Sequence, residues 1–95
     1  MQITDAQRQL LSELMHRAFV EIRMLGATGK SEQASDLADA FHNLPTDMWK
    51  DDFKLEFFRD AFLQVYQQKY PEGRVFDYLA RVNEIIAMGE DYTSN

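Results

Sequence analysis

Two histidines that each follow an acid by three residues are the first side chains in this chain whose spacing suggests chemistry. The pairs are Glu13 with His16 and Asp39 with His42. In di-iron carboxylate bundles, a Glu-x-x-His spacing puts two metal ligands on one helix face, and paired motifs face each other across the core. Here both pairs lie off the apolar faces of the helices predicted to carry them, so they are expected to point outward and not to meet. We predict no metal site and no cofactor; a bundle that binds a metal or small ligand through these histidines and nearby carboxylates is the alternative.

Other catalytic signatures are incomplete in this sequence. The run from Gly26 to Ser31 ends in Gly-Lys-Ser, but a phosphate-binding loop needs four residues between its glycines and a strand before it. Here the glycines are three apart and a predicted helix precedes them. The absence of cysteine excludes thiolate nucleophiles, disulfides and thiolate metal sites. We predict that the protein is not an enzyme.

Composition and charge indicate one acidic domain spanning residues 1–95. Hydrophobic residues make up 45% of the chain, and 16 acids against 10 bases give a formal charge of −6. Such a charge disfavours nucleic acid and anionic membranes as partners and weakly favours basic proteins. The arginines are scattered over several faces, which does not fit a nucleic-acid footprint. With no predicted signal peptide or membrane span, we expect a cytoplasmic protein.

The apolar periodicity predicts an all-α fold, a four-helix antiparallel bundle with short turns. In the first helix, a 4-3-4-3 spacing relates the residues Leu11, Met15, Ala18, Ile22 and Leu25. The expected helices cover about 5–25, 31–43, 51–69 and 74–88, with 90–95 a disordered tail. Pro45 is expected to end the second helix, and Gly89 to cap the fourth.

The third predicted helix carries an unusually wide apolar face. Its apolar side chains cover roughly 220° of the circumference, more than a single core-facing stripe needs. They are Phe53, Leu55, Phe57, Phe58, Ala61, Phe62, Val65 and Tyr66. Either this helix lies in the middle of the domain, or it presents a second face to another chain. Val20, Met24 and Leu63 are predicted to be further spare apolar residues at such a contact.

An acidic and aromatic cluster precedes and enters the same helix. Trp49, Asp52, Glu56 and Asp60 could form a recognition edge with the tryptophan as its anchor. Alternatively, the acids complement the helix dipole, and Trp49 packs in the core beside Leu44.

These observations together predict a function based on contact between proteins. The chain is expected to be a small, acidic, non-catalytic helical protein, either a homodimer or the acidic partner or inhibitor of a basic protein. The expected contact residues are Val20, Met24, Trp49, Asp52, Glu56, Asp60 and Leu63.

Overall fold

Helices make up most of the computed structural model, which describes residues 3–93. The elements are α1 (Asp5–Ala27), α2 (Ser31–Phe41), the one-turn α3 (Leu44–Asp47), α4 (residues 55–69) and α5 (Tyr78–Thr93). Within α4, two α-helical parts, Leu55–Phe58 and Gln64–Lys69, flank a π-helical turn, Arg59–Leu63. No strand occurs within residues 3–93. The predicted all-α fold class is confirmed.

The first helix begins at a capping box. The Thr4 hydroxyl accepts a hydrogen bond from the Gln7 backbone N–H at 3.1 Å, and the Gln7 side chain accepts one from the Thr4 N–H at 2.7 Å. Two donors that the helix leaves unpaired are thereby satisfied. At the other end, Gly29 has φ +83°, a left-handed conformation that suits glycine. This turn sends the chain back so that α2 packs along α1.

Two helix boundaries differ from the sequence prediction near Pro45. The second helix ends at Phe41, and Pro45 lies in the first turn of the separate helix α3. Proline is tolerated there because its missing N–H would have no partner within the helix. The chain then forms turns, and Lys54 is extended, so α4 begins at Leu55 instead of residue 51.

The last helix also starts later than predicted. It begins at Tyr78 because side chains take up the first backbone donors: the Ala80 N–H donates to Asp77 Oδ1 at 3.0 Å, and the Leu79 N–H to Gln67 Oε1 at 2.8 Å. The hydrogen bond from Ala80 lowers the pKa of Asp77 below its ordinary value. The predicted cap at Gly89 is wrong as well, since the helix continues through Gly89 to Thr93. The disorder predicted for 90–95 stays a prediction. Residues 94 and 95 of the predicted tail lie outside the described residues.

Gly89 is needed where α5 approaches the start of α1. A Cβ atom at this position would overlap the side-chain amide of Gln7. That amide is buried and donates a hydrogen bond to the Ile85 carbonyl at 2.9 Å. The close approach therefore depends on a glycine inside a helix, although glycine is a poor helix former.

Gly89→Ala is expected to lower the free energy of unfolding by about 1 kcal/mol, because the loss of the buried Gln7 bond outweighs the gain in helix propensity. The matched control is Gly26→Ala, where nothing lies within 4 Å of the added methyl group. This change is expected to stabilise the protein by about 0.5 kcal/mol. Urea unfolding followed by circular dichroism measures both values, and a stabilising Gly89→Ala would contradict the packing described.

The buried face of α1 differs by one step from the predicted stripe. Its buried residues follow a 4-3-4-3-4 spacing: Gln7, Leu11, Leu14, Ala18, Glu21 and Leu25. Met15 and Ile22, which were expected in the core, are only partly buried. The register rotates because α1 must meet α2 and α5 together. As a result, two polar side chains, Gln7 and Glu21, lie in the buried seam.

The π-helical turn sets which face of α4 enters the core. Leu55 and Phe58 are buried before it, Leu63 is buried at its last position, and Tyr66 is buried after it. Uninterrupted α-helix would place residue 62 below residue 58, but the π turn adds one residue and brings Leu63 inward instead. Leu63 is 0% exposed, so its prediction as a spare surface residue is wrong.

Part of the broad apolar face of α4 remains at the surface. Phe57 and Val65 are exposed, whereas Phe53 and Phe62 are partly buried against the core. Phe62 also contacts the Phe57 ring edge to face, with ring centroids 5.9 Å apart. The neighbouring helices thus cover only one side of the apolar circumference.

Candidate functional site

The surface feature of most functional interest is a groove of about 480 Å³ along α1. One side is formed by α1, and the other by Val75, Phe76 and Arg81, which precede or belong to α5. Its volume falls within the usual range for ligand sites. The residues that α1 contributes are Leu10, Glu13, Leu14, His16, Arg17, Val20, Glu21 and Met24.

Helical spacing brings the α1 side chains of this groove together. Arg17, Val20, Glu21 and Met24 recur at three- and four-residue intervals, so they share one side of the helix. Val20 is 46% exposed, Met24 is 52% exposed and Val75 is 62% exposed. Two separate segments therefore present exposed apolar side chains to the same groove.

Aromatic contacts hold the Val75–Phe76 wall against α1. The Arg17 guanidinium lies over the Phe76 ring, 4.1 Å from its centroid. Phe76 contacts Tyr78 edge to face at 5.3 Å, and Tyr78 contacts Phe41 in the same way at 5.5 Å. Because Tyr78 is fully buried, this series of rings connects the groove wall to the core.

A buried carboxylate forms part of the groove lining. Glu21 is only 3% exposed, and its Oε1 accepts a hydrogen bond from the Tyr78 hydroxyl at 2.7 Å. Burial raises the pKa of Tyr78 above its ordinary value, and the hydrogen bond to Glu21 raises it further, so the hydroxyl stays a donor. Among the side chains of residues 3–89, no donor bonds the other oxygen, Oε2, although that atom is also buried.

Sequence reasoning missed Glu21, although one signal could have found it. The residue lies on a 3-4-3-4 spacing with Leu11, Leu14, Ala18 and Leu25, so this register places an acid among core positions. The predicted stripe through Met15 and Ile22 contains only apolar residues. The Val75–Phe76 wall was missed because both residues were assigned to a helix that in fact begins at Tyr78.

The two acid–histidine pairs are exposed and occupy different surfaces. Glu13 and His16 line the groove along α1. His42 lies in a second groove, of about 180 Å³, between α1 and α2, and Asp39 lines neither. Among the side chains that the structure describes, those of residues 3–89, no three histidine or acidic groups lie close enough together to hold a metal ion.

The structure divides the predicted acidic and aromatic edge into separate surfaces. Trp49 is exposed and lies against the Arg8 guanidinium, 4.9 Å from the ring centroid, so the alternative that it packs in the core is wrong. Met48 is the buried residue of this turn. Asp52 and Phe57 line a shallow pocket. Glu56 and Asp60 are not part of its lining.

Asp60, another acid of that predicted edge, pairs with its neighbour in the chain. Asp60 Oδ1 accepts a hydrogen bond from Arg59 Nε at 2.7 Å, and this bond lowers the pKa of Asp60 below its ordinary value. Both side chains belong to the π-helical turn. We infer that Asp60 serves this local pair, while a role for Trp49, Asp52 or Glu56 in binding stays a prediction.

Comparisons with protein-family models, with curated proteins and with solved structures found no match to this chain. Among the helices of residues 3–93, none has the length and apolar character needed to cross a membrane. The groove and its side chains are therefore the basis for a functional proposal.

Proposed function

We propose that this chain is a non-catalytic protein that acts by binding another protein through the groove along α1. The observation that carries the proposal is the exposure of Val20, Met24 and Val75 around one groove. Contiguous apolar surface of this kind is typical of contact sites between proteins. Methionine also adapts its shape readily, which suits a residue at a binding surface.

The distribution of apolar surface favours a protein over a small molecule as the occupant. Val20, Met24 and Val75 are each about half exposed or more, so they border the groove instead of closing it. A small molecule in the groove would leave much of this rim in water. A protein partner can cover the rim and fill the groove together, as the buried centre and surrounding contacts of an interface do.

Charge favours a basic partner over a second copy of the chain. Each copy carries a formal charge of −6, so self-association brings two acidic molecules together. A basic protein is instead attracted over a distance, and its association is accelerated at low ionic strength. A homodimer remains the alternative within the same proposal.

Photocrosslinking in the native host tests the proposal. A benzoylphenylalanine at position 24 is expected to trap a protein partner, whereas the same group at position 19 is not. Phe19 is a suitable control because it is exposed on α1 but lies in the other groove. Capture from both positions, or from neither, would contradict the groove as the binding surface.

Met24→Lys is expected to weaken binding to the purified partner at least about tenfold, because it puts a positive charge into an apolar contact with a basic protein. Phe19→Lys should change the affinity by less than about twofold, since surface residues outside a contact centre contribute little. Titration calorimetry gives both affinities. Light scattering tests the homodimer: a mass of 11.1 kDa at every concentration excludes it, and a doubled mass identifies the partner as a second copy.

A further inference from the structure

Glu21 is a buried acid with a hydrogen-bond partner at only one of its two oxygens. Tyr78 bonds Oε1, while Oε2 has no donor among the side chains of residues 3–89 and is enclosed by protein. An ionised carboxylate removed from water loses a large hydration energy unless a cation or several donors replace the water. The free protein is therefore missing one favourable partner at this position.

The two arginines that line the groove interact with groups other than Glu21. Arg17 is four residues before Glu21 on α1, but its guanidinium lies over the Phe76 ring. Arg81 pairs with Glu84 Oε2 at 2.7 Å. Within the described part of the chain, neither arginine donates a hydrogen bond to Glu21, and the hydrogen bonds of Arg74, whose Nε is also buried without a partner, go to the Gln67 and Tyr70 carbonyls. A donor supplied by a binding partner would complete the pairing of Oε2.

We infer that the partner inserts one lysine or arginine side chain into the groove and pairs its cationic head with Glu21 Oε2. This inference rests on the proposed function. The aliphatic part of such a side chain matches the apolar lining, with Val20, Met24 and Val75 against its methylene groups. The charged head gains a hydrogen bond to an ionised acceptor in a site that excludes water.

Binding requires a small rearrangement at the rim. Since Oε2 is enclosed in the free protein, groove side chains must shift before a cation reaches it. Met24 is half exposed and unbranched, so it can change rotamer without disturbing the core. Rotamer changes of this kind are common when interfaces form.

Three simple probes test the inference on the intact protein by methyl and amide NMR titration. They are n-hexylammonium, 1-hexanol and hexanoate, which share one chain and differ in the charge of the head. We expect n-hexylammonium to bind about tenfold more tightly than 1-hexanol, with shifts at Val20, Met24 and Val75 and not at Phe19. Equal affinities, tighter binding of hexanoate through the two arginines, or no binding at all would each overturn the inference.

Glu21→Gln identifies the anchor. The glutamine carbonyl still accepts the Tyr78 hydrogen bond, but the negative charge is gone, so n-hexylammonium should bind no more tightly than 1-hexanol. An undiminished preference for the cation would overturn the role of Glu21. If this variant does not fold, Met24→Trp replaces it: filling the groove from its exposed rim should weaken n-hexylammonium at least about fivefold, and an unchanged affinity would place the probe elsewhere.

The two proposals fail in different ways. Crosslinking from position 24 together with equal affinities for the three probes would support binding of a partner at the groove but contradict the insertion of a lysine or arginine beside Glu21. A preference for n-hexylammonium that depends on Glu21, with no partner captured, would leave a cation site without the proposed protein contact.

Discussion

Leu63→Glu is expected to abolish the folded state. Leu63 is 0% exposed, and the π-helical turn points it into the core beside Phe58 and Tyr66. The change removes a buried leucine and places an unpaired charge there, a loss of at least about 5 kcal/mol. Domains of this size are stable by only about 5–15 kcal/mol. Circular dichroism and urea unfolding should show a largely unfolded chain.

Val65→Glu is the matched control, because it makes the same type of change two residues further along the same helix. Val65 is exposed, so the free energy of unfolding should change by no more than about 0.5 kcal/mol. A folded Leu63→Glu variant, or an unfolded Val65→Glu variant, would show that α4 has a different register. The pair therefore tests the π-helical turn directly.

Tyr78→Phe is expected to have the next largest effect, lowering the free energy of unfolding by about 2–4 kcal/mol. The change deletes the hydroxyl that bonds Glu21 Oε1 and leaves the buried carboxylate with no donor from the described side chains, those of residues 3–89. The ring remains, so the contacts with Phe41 and Phe76 are kept. Urea unfolding at neutral pH measures the loss.

The double variant Glu21→Leu with Tyr78→Phe separates the lost bond from the unpaired charge. It removes both polar partners and replaces them with apolar groups of similar size, so it should be more stable than Tyr78→Phe alone. A double-mutant cycle gives the coupling energy between the two side chains. If Tyr78→Phe has almost no effect, Glu21 is not a poorly compensated charge, and the argument for a cation in the groove loses its basis.

The sequence predicts the helices well where local signals decide them. Thr4 caps α1, and Gly29 ends the turn after it, as their residue types indicate. The all-α class follows from apolar spacing alone. Errors occur where a side chain elsewhere in the fold takes up a backbone donor, as Gln67 does for the Leu79 N–H at the start of α5. Local sequence carries no information about such a partner, although Asp77, three residues before Ala80, is a local capping signal.

The register within helices is harder to predict than the helices themselves. Between residues 58 and 66, an α-helical and a π-helical reading place different residues inward, and both use apolar side chains. Packing against α2 and α5 decides between them. The same reasoning explains the candidate site: Val20 and Met24 were singled out from their helical positions, but Glu21 and Val75 depended on packing that only the fold provides.

The hydrogen bond from Gln7 to the Ile85 carbonyl joins residues 78 positions apart. During synthesis, α1 leaves the ribosome long before α5. The buried face of α1 therefore stays partly uncovered until the last helix packs against it. Local pairing of α1 with α2 can begin earlier, because their contacts span a short stretch of chain. We therefore expect the fold to be completed only after α5 has emerged. Nascent chains that stop before Tyr78 should expose the apolar side of α1 to chaperones.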